Sequence, residues 1–444
     1  MNKKKIYIVI LILAMVLFLS VSVLASGCNL LVTEEPEEEE NEVAKEEVAE
    51  EEDKEYYIAY FQVGSEESSM HFEHRVANII AVNPAGTNEH IVFTDLNETY
   101  DLSRIYSVSP DSSKISCGFY EGGRGAYGAL NVIDIITGEM DTVVEFDYTQ
   151  SESMELMADI YGKPVWSHDS KNIAYETVIN PFTENFSDGG ISIVNIDTGG
   201  ISEVDVNMED SSENDGFLDP VLFAVDNGRL FNIFHAIYPK MEEGAILDYF
   251  TRNEKLVAVD ILTGEANEIL DISQFEGMEA SLDNFNIFTG QNKIVFQVLG
   301  DFEEDGDIWI CDSNGSNLNK LTGDTQLREQ QPSILDVSDP NGRIAYVGVG
   351  RYGTIASTFN AGNIYIINMD GSGKVEIDHE VDASKPIFSP DGRYVAFIGY
   401  IFDSGLENIE NRQIVVYDNQ SGEIKVVASG PGIFDLIGWI KAAN

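Results

Sequence analysis

The sequence predicts an all-β chain folded as a β-propeller of seven four-stranded blades, closed into a ring by the C-terminal strand. Three observations carry this. A module of strand, polar turn, strand and Gly-tipped hairpin recurs along the chain. Its hairpin glycines are Gly86, Gly138, Gly199, Gly264, Gly315, Gly371 and Gly422, spaced 51 to 65 residues apart. A period of about 40–50 residues with four strands per unit is the propeller signature, and the longer spacing here assigns extra residues to loops. Finally, the chain ends in a strand that belongs to no unit of its own.

The first unit shows three strands, near Ile58–Val63, Ala77–Val82 and His90–Thr94, without the turn strand that opens the others. The final strand, Gly432–Ile440, supplies the missing one, with Trp439 where complete units carry Trp166 and Phe388. An open ring would leave edge strands unpaired. The units at 218–270 and 283–322 are degenerate, which leaves six or eight blades as alternatives.

Within the units, the first turn reads Ser109-Pro110-Asp111-Ser112, Ser167-His168-Asp169-Ser170, Asp226-Asn227-Gly228, Gly290-Gln291-Asn292, Asp339-Pro340-Asn341-Gly342 and Ser389-Pro390-Asp391-Gly392. Pro presets φ, Asp bonds its own backbone, and Gly or Asn accepts φ > 0. A β-rich run follows, as in Ile173-Ala174-Tyr175, Ile344-Ala345-Tyr346 and Val395-Ala396-Phe397. The strand before the second turn alternates apolar residues and ends in Asp, as at Val132-Ile133-Asp134 and Val416-Tyr417-Asp418. Period-two alternation between turn residues reads as antiparallel hairpins.

These residues resemble the TolB-like propeller repeat. Phe388-Ser389-Pro390-Asp391-Gly392-Arg393-Tyr394-Val395-Ala396-Phe397 is similar to its Trp-Ser-Pro-Asp-Gly strand, and Asp307–Thr322 to its Asp/Gly hairpin. The resemblance spans about residues 56–440. It implies the propeller fold. Members named TolB carry an α/β domain before the propeller and are soluble in the periplasm; this chain has a short acidic stretch there and a lipid-attachment signal. Propeller lyases with a His-rich metal centre occur among relatives of the repeat, but the six His of this chain are scattered. A fold does not dictate a function.

The N-terminus sets the expected location. Lys3-Lys4-Lys5 precede an apolar run from Ile6 to Leu24. Basic, apolar and then small residues form an export signal, and the run approaches bilayer-spanning length, so a retained helix is its rival. Leu24-Ala25-Ser26-Gly27-Cys28 resembles a bacterial lipoprotein box, which makes Cys28 the expected lipidation site. The expected organisation is a signal peptide over 1–27, an acidic disordered tether over 28–55 and the propeller over 56–444. Glu34–Glu55 holds 14 acids and two Lys, a composition that stays solvated and extended.

The net charge is −51, of which residues 1–55 contribute −9 and the remainder −42. Such acidity argues against nucleic-acid binding, which needs cationic neutralisation of phosphate, and against direct contact with anionic lipid. Besides Cys28, the chain has Cys117 and Cys311 in apolar strand contexts, read as small buried hydrophobes.

No Gly-x-Ser-x-Gly elbow, His-Glu-x-x-His helix or phosphate loop occurs; those motifs would have marked a hydrolase, a zinc enzyme or a nucleotide site. Asp301-Phe302-Glu303-Glu304-Asp305-Gly306-Asp307 comes nearest to a metal loop. Asp301, Glu303 and Asp305 stand at positions one, three and five before a Gly, with Asp312 at position twelve, which suggests calcium; a polar loop entering a hairpin is the plainer reading. His71 and His74 flank Glu73 in a loop-like stretch, His168 replaces a turn Pro and is read as solvated, and His235 follows an apolar run. The stretches Phe182–Gly190, Asn207–Phe217, Phe302–Gly306 and Tyr352–Gly362 differ most between units. Variable loops on a rigid scaffold are where binding lives, so Phe182, Phe186, Tyr352 and Phe359 are the expected partner contacts. The sequence therefore points to a lipid-anchored propeller, expected as a monomer, that binds an envelope protein or peptide. The alternative is a carbohydrate-binding or metal-assisted enzyme that uses the central funnel.

Overall fold

The computed structural model describes residues 56–63, 77–95, 101–120, 127–145, 158–179, 190–206, 216–242, 245–275, 281–299, 306–323, 327–335, 342–350, 361–402, 409–430 and 432–442. They form seven four-stranded antiparallel sheets. Blade 1 contains β1 (Tyr56–Val63), β2 (Ala77–Val82) and β3 (His90–Asp95). Blade 2 is β4 (Asp101–Val108), β5 (Lys114–Tyr120), β6 (Tyr127–Asp134) and β7 (Met140–Glu145). Blade 3 is β8 (Ala158–Trp166), β9 (Asn172–Ile179), β10 (Gly190–Asn195) and β11 (Ile201–Val204). Blade 4 is β12 (Gly216–Phe223), β13 (Arg229–Glu242), β14 (Ala245–Asp260) and β15 (Ala266–Asp271). Blade 5 is β16 (Ser281–Phe288), β17 (Lys293–Leu299), β18 (Gly306–Asp312) and β19 (Asn319–Lys320). Blade 6 is β20 (Leu327–Leu335), β21 (Arg343–Gly350), β22 (Asn363–Asn368) and β23 (Val375–Ile377). Blade 7 is β24 (Asp382–Phe388), β25 (Tyr394–Phe402), β26 (Ile409–Asp418) and β27 (Ile424–Gly430). The last strand, β28 (Ile433–Lys441), pairs with β1 from Tyr56↔Lys441 to Gln62↔Ile433 and completes blade 1. Seven blades and closure by the C-terminal strand are thus as the repeat predicts.

The turn residues act as their chemistry dictates. Ser109, Ser167 and Ser389 each donate to the Asp two positions on, at 2.6, 2.5 and 2.5 Å, and each hydroxyl accepts a backbone N–H across the turn at 2.9 to 3.0 Å. At the second turn Asp134, Asp260 and Asp418 accept two backbone N–H groups each. Gly264 sits at φ +70° with the Asp205 carbonyl oxygen 1.8 Å from where a Cβ would stand. That tip is pressed against the outer strand of the preceding blade, and only Gly fits both the conformation and the gap.

Among the described residues the apolar side chains fall into seven clusters, one at each seam between neighbouring blades. The second strand of each blade faces both seams by alternation. In β9, Ile173 and Tyr175 pack toward blade 2 while Ala174 packs toward blade 4. Polar staples also cross the seams. The Trp166 indole donates to Ser116 Oγ at 3.1 Å, and that of Trp439 to the Ile387 carbonyl at 2.9 Å. Trp166 and Trp439 are buried and Trp309 is half-buried against Phe275. Cys117 and Cys311 are buried and form no disulfide, as their strand contexts predict. His168 is not merely solvated: its ring Nε2 lies 3.0 Å from the Phe223 carbonyl and its backbone N–H donates to Asn227 Oδ1, tying blade 3 to blade 4.

Strand direction separates the two faces of the disc. The connections from first to second and from third to fourth strand share one face, and where both strands are described they span four to seven residues. β1 starts and β28 ends at this face. Every second-to-third connection leaves from the other face. There β13 and β14 stay paired out to Glu242↔Ala245, whereas β12 covers β13 only to Ala236 and β15 covers β14 only to Lys255. Blade 4 therefore extends a two-stranded ribbon beyond its flanking strands on that face.

Candidate functional site: the central channel

The innermost strands β4, β8, β12, β16, β20, β24 and β28 surround a channel of 890 Å³. Most of these strands break register midway, at Tyr161/Val165, Pro220/Leu222, Asp283/Asn286, Gln330/Ser333 and Ser384/Ile387. A bulge adds a residue and re-aims the side chains around it. In four of the strands the break holds an X-Pro step: Lys163-Pro164, Asp219-Pro220, Gln331-Pro332 and Lys385-Pro386. Pro has no N–H to lose from the ladder. Asn284, Gln331 and Lys385 take φ of 52°, 54° and 53°, a conformation that costs non-Gly residues energy and that surrounding contacts must hold.

A hydrogen-bond chain holds it. Gln297 on β17 is buried, and its Oε1 accepts from Asn284 Nδ2 at 2.8 Å and from the Gln331 N–H at 3.1 Å. Gln331 Oε1 accepts the Lys385 N–H at 2.8 Å. The Lys385 ammonium donates to both oxygens of Asp435, at 2.7 and 2.5 Å. Blades 5, 6, 7 and 1 are linked in sequence around the channel wall.

The opposite arc is acidic. Asp219 and Asp283 line the channel on blades 4 and 5. Burial raises the Asp283 carboxyl, with Asp219 adding to the rise and Lys163 opposing it. Lys163 lies deep in the ring with its side chain open to the channel; removal from bulk water and the charge of Lys385 lower its pKa, against the pull of Asp435 and Asp283. Behind Asp219 stands Glu176 on β9, only 1% exposed. Neither of its carboxyl oxygens has a hydrogen-bond partner. Burial first, and Asp219 second, push its pKa up to about 9, so this carboxyl is protonated at neutral pH.

The repeat makes Glu176 stand out. It shares its seam-facing side with Ala174. The matching position is Ile233 in blade 4, Gln297 in blade 5, Val347 in blade 6, Ile398 in blade 7 and Phe61 in blade 1, judged by the seam each side chain or its neighbour packs into. The Gln of blade 5 is satisfied by Asn284 of its own blade and by the Gln331 N–H of blade 6, whereas the Glu of blade 3 lies under the influence of another carboxylate.

The residues singled out from sequence are not brought together by the described structure. Cys28, Asp301, Glu303, Asp305, His71, His74, Phe182, Phe186, Tyr352 and Phe359 lie outside the described residues. At the edge of the 301–307 segment, Asp307 is buried and pairs with Lys320 at 2.5 Å. Asp312, position twelve of the suggested calcium loop, is engaged by Lys293 at 2.5 Å and by Ser316 and Asn317 within its own turn. No group of three or more His, Cys, Asp or Glu arranged to hold a metal occurs among the described residues.

The sequence matches no family profile, and no curated protein matches it. Solved structures share its fold at low identity. An oligogalacturonate lyase in complex with manganese is 17% identical over 84% of this chain and 85% of its own, with a TM-score of 0.50. A prolyl endopeptidase is 14% identical over 84% of this chain, with a TM-score of 0.53; this chain spans 50% of its length. TolB from Acinetobacter baumannii is 16% identical over 75% of this chain and 66% of its own, with a TM-score of 0.42. At these identities the likeness is one of fold alone.

Proposed function

We propose that this protein is a lipid-anchored scaffold of the bacterial cell envelope that binds a protein or peptide partner through one face of its propeller. The observation that carries the reading is the asymmetry of the disc. One face has short turns and both ends of the propeller chain. The other bears the ribbon of β13 and β14; Phe182, Phe186, Tyr352 and Phe359, which lie outside the described residues, are the further contacts this reading assigns. The ribbon sequence, Ile237-Tyr238-Pro239-Lys240-Met241 with Ile246-Leu247-Asp248-Tyr249-Phe250, is rich in apolar and aromatic residues, the types enriched where proteins meet. Cys28 carries the lipid in this reading, and residues 28–55 space the propeller from the membrane.

The test uses full-length protein expressed in a bacterial host, with chemical crosslinking in intact cells. A discrete envelope partner, lost when Ala236–Asn253 is replaced by an Asn-Gly turn while the melting temperature holds, supports the reading. Crosslinks unchanged by that replacement refute it. Cys28→Ser should move the protein from the membrane to the soluble fraction.

The channel favours a second reading, in which a carbohydrate-binding or metal-assisted enzyme uses the funnel, with calcium at Asp301, Glu303 and Asp305. Melting of the full chain in EDTA and then in calcium tests the metal: a calcium-dependent rise that Asp305→Ala abolishes supports it.

A further inference from the structure

We propose that two copies of this chain pair through the outer edge of β14, antiparallel about a two-fold axis at Phe250, so that the two ribbons join into one four-stranded sheet. The proposal rests on the reading of the ribbon as the binding surface and names a second copy as its partner, in place of the monomer expected from sequence.

The argument starts from backbone that blade 4 leaves unpaired. β15 accompanies β14 only to Lys255, and β12 accompanies β13 only to Ala236. Beyond those points each strand of the ribbon has a neighbour on one side alone among the described residues. Such edges present N–H and C=O groups to any strand that meets them. The two edges differ. That of β13 holds Pro239 and Lys240, the residues that natural sheets use to block edge pairing. That of β14 reads Asp248-Tyr249-Phe250-Thr251-Arg252-Asn253, without Pro, Gly or Lys, and Tyr, Phe and Thr favour strands. This run lies between two register breaks and pairs with β13 without interruption, from Lys240↔Asp248 to His235↔Asn253. At about 3.4 Å per residue it offers an edge of roughly 20 Å.

The register chooses the partner. In an isologous antiparallel pair the residue on the axis meets itself and its neighbours meet in reverse order. With Phe250 on the axis, Asp248 falls opposite Arg252 of the second copy, Arg252 opposite its Asp248, and Tyr249 opposite its Thr251. On any other residue of the run, the axis leaves Asp248 with no basic residue opposite. With the β13 partners added, the central row of the joined sheet reads Tyr238, Phe250, Phe250, Tyr238, and the row on either side reads Lys240, Asp248, Arg252, Ala236. Residues two apart share a face, so the aromatic row lies between two rows of alternating charge. Cross-strand aromatic and opposite-charge pairs are what stabilise a sheet. The edge is complementary to itself, which assigns it to a second copy and not to an unrelated strand. The net charge of −51 opposes association, but salt screens it over about 8 Å at physiological ionic strength, and the ribbon sets the contact beyond the flanking strands.

The experiment is sedimentation velocity of the full-length protein in detergent at physiological salt, over a concentration series, beside chemical crosslinking in intact cells. The expected result is a reversible dimer. Arg252→Asp sets two carboxylates against each other in both outer rows and should weaken the dimer about tenfold at an unchanged melting temperature. Inverting the whole row, with Lys240→Glu, Asp248→Arg and Arg252→Asp together, should restore it. Phe250→Cys should yield an oxidised dimer, because the two thiols stand opposite each other on the axis, and Tyr249→Cys should not; Cys117 and Cys311 are buried and stay out of the reaction. A monomer at every concentration, a dimer indifferent to Arg252→Asp, or a disulfide at 249 in place of 250 would each overturn the proposal. Crosslinks in cells to a different protein, with a purified chain that stays monomeric, would overturn it and leave the scaffold reading standing. A ribbon-dependent dimer without a separate envelope partner would support it and remove that partner from the scaffold reading.

Discussion

Replacing Glu176 by Gln should stabilise the protein, and more so as pH rises. A carboxyl at about 9 in the folded chain titrates near its ordinary value of about 4.3–4.5 once unfolded. The folded state therefore holds a proton that the unfolded state has already lost between these two values. Stability is fully present below the unfolded pKa and is lost as pH rises toward the folded one. The loss accrues at roughly 1.4 kcal/mol per pH unit, which makes about 3 kcal/mol at pH 7. Gln keeps the shape and carries no such titration. At about 2.1 cal/mol/K per residue, a propeller of this size unfolds with an entropy near 0.8 kcal/mol/K, so 3 kcal/mol corresponds to about 4 °C in melting temperature. The assay is calorimetric melting of the full-length wild type and variant from pH 5.5 to 8.5, which stays clear of the isoelectric point near 4.1. The variant should lead by about 1–2 °C at the acid end, and the lead should widen with each unit. A constant gap, or a variant that melts lower at pH 8.5, would mean that Glu176 is ionised in the fold and would refute the reasoning.

Trp439→Ala removes the indole that seats the closing strand, 3% exposed and bonded to Ile387; a loss of about 3–5 kcal/mol is expected, read as a lower urea midpoint. Gly264→Ala forces a Cβ onto the Asp205 carbonyl at φ +70° and should cost more than the roughly 1 kcal/mol of an ordinary Gly exchange, checked by the same midpoint. Gln297→Leu leaves the half-buried Gln331 N–H without its acceptor, while the exposed Asn284 amide keeps Asp283; about 1–3 kcal/mol for the orphaned N–H should appear as a lower melting temperature with faster exchange of the Gln331 amide.

The fold was legible because its determinants are local. Asp134, Asp260 and Asp418 bond their own turns, and Ile173-Ala174-Tyr175 alternates between two seams, so both periods lie on the surface of the sequence. The site was less legible for two reasons. Its residues come from seven inner strands far apart in the chain, and they sit at bulges, where alternation fails. The recurring X-Pro step of Lys163, Asp219, Gln331 and Lys385 was a readable signal, since Pro inside a strand demands a break in the ladder. So was Glu176, the acid that follows Ile-Ala-Tyr where Val347 and Ile398 follow the equivalent runs. The turn reading of His168 missed its bond to Phe223 because that partner belongs to the next blade, 55 residues on.

The pairing of Tyr56 with Lys441 places the two ends of the propeller in the same sheet, which sets the order of its birth. The strands synthesised first must wait, with β1 carrying an unpaired edge, until β28 emerges. Ring closure is then a single late event of the longest possible loop, slow in entropy terms and vulnerable to any premature stop. A chain cut short by one strand would keep six finished blades and a permanently open seventh seam.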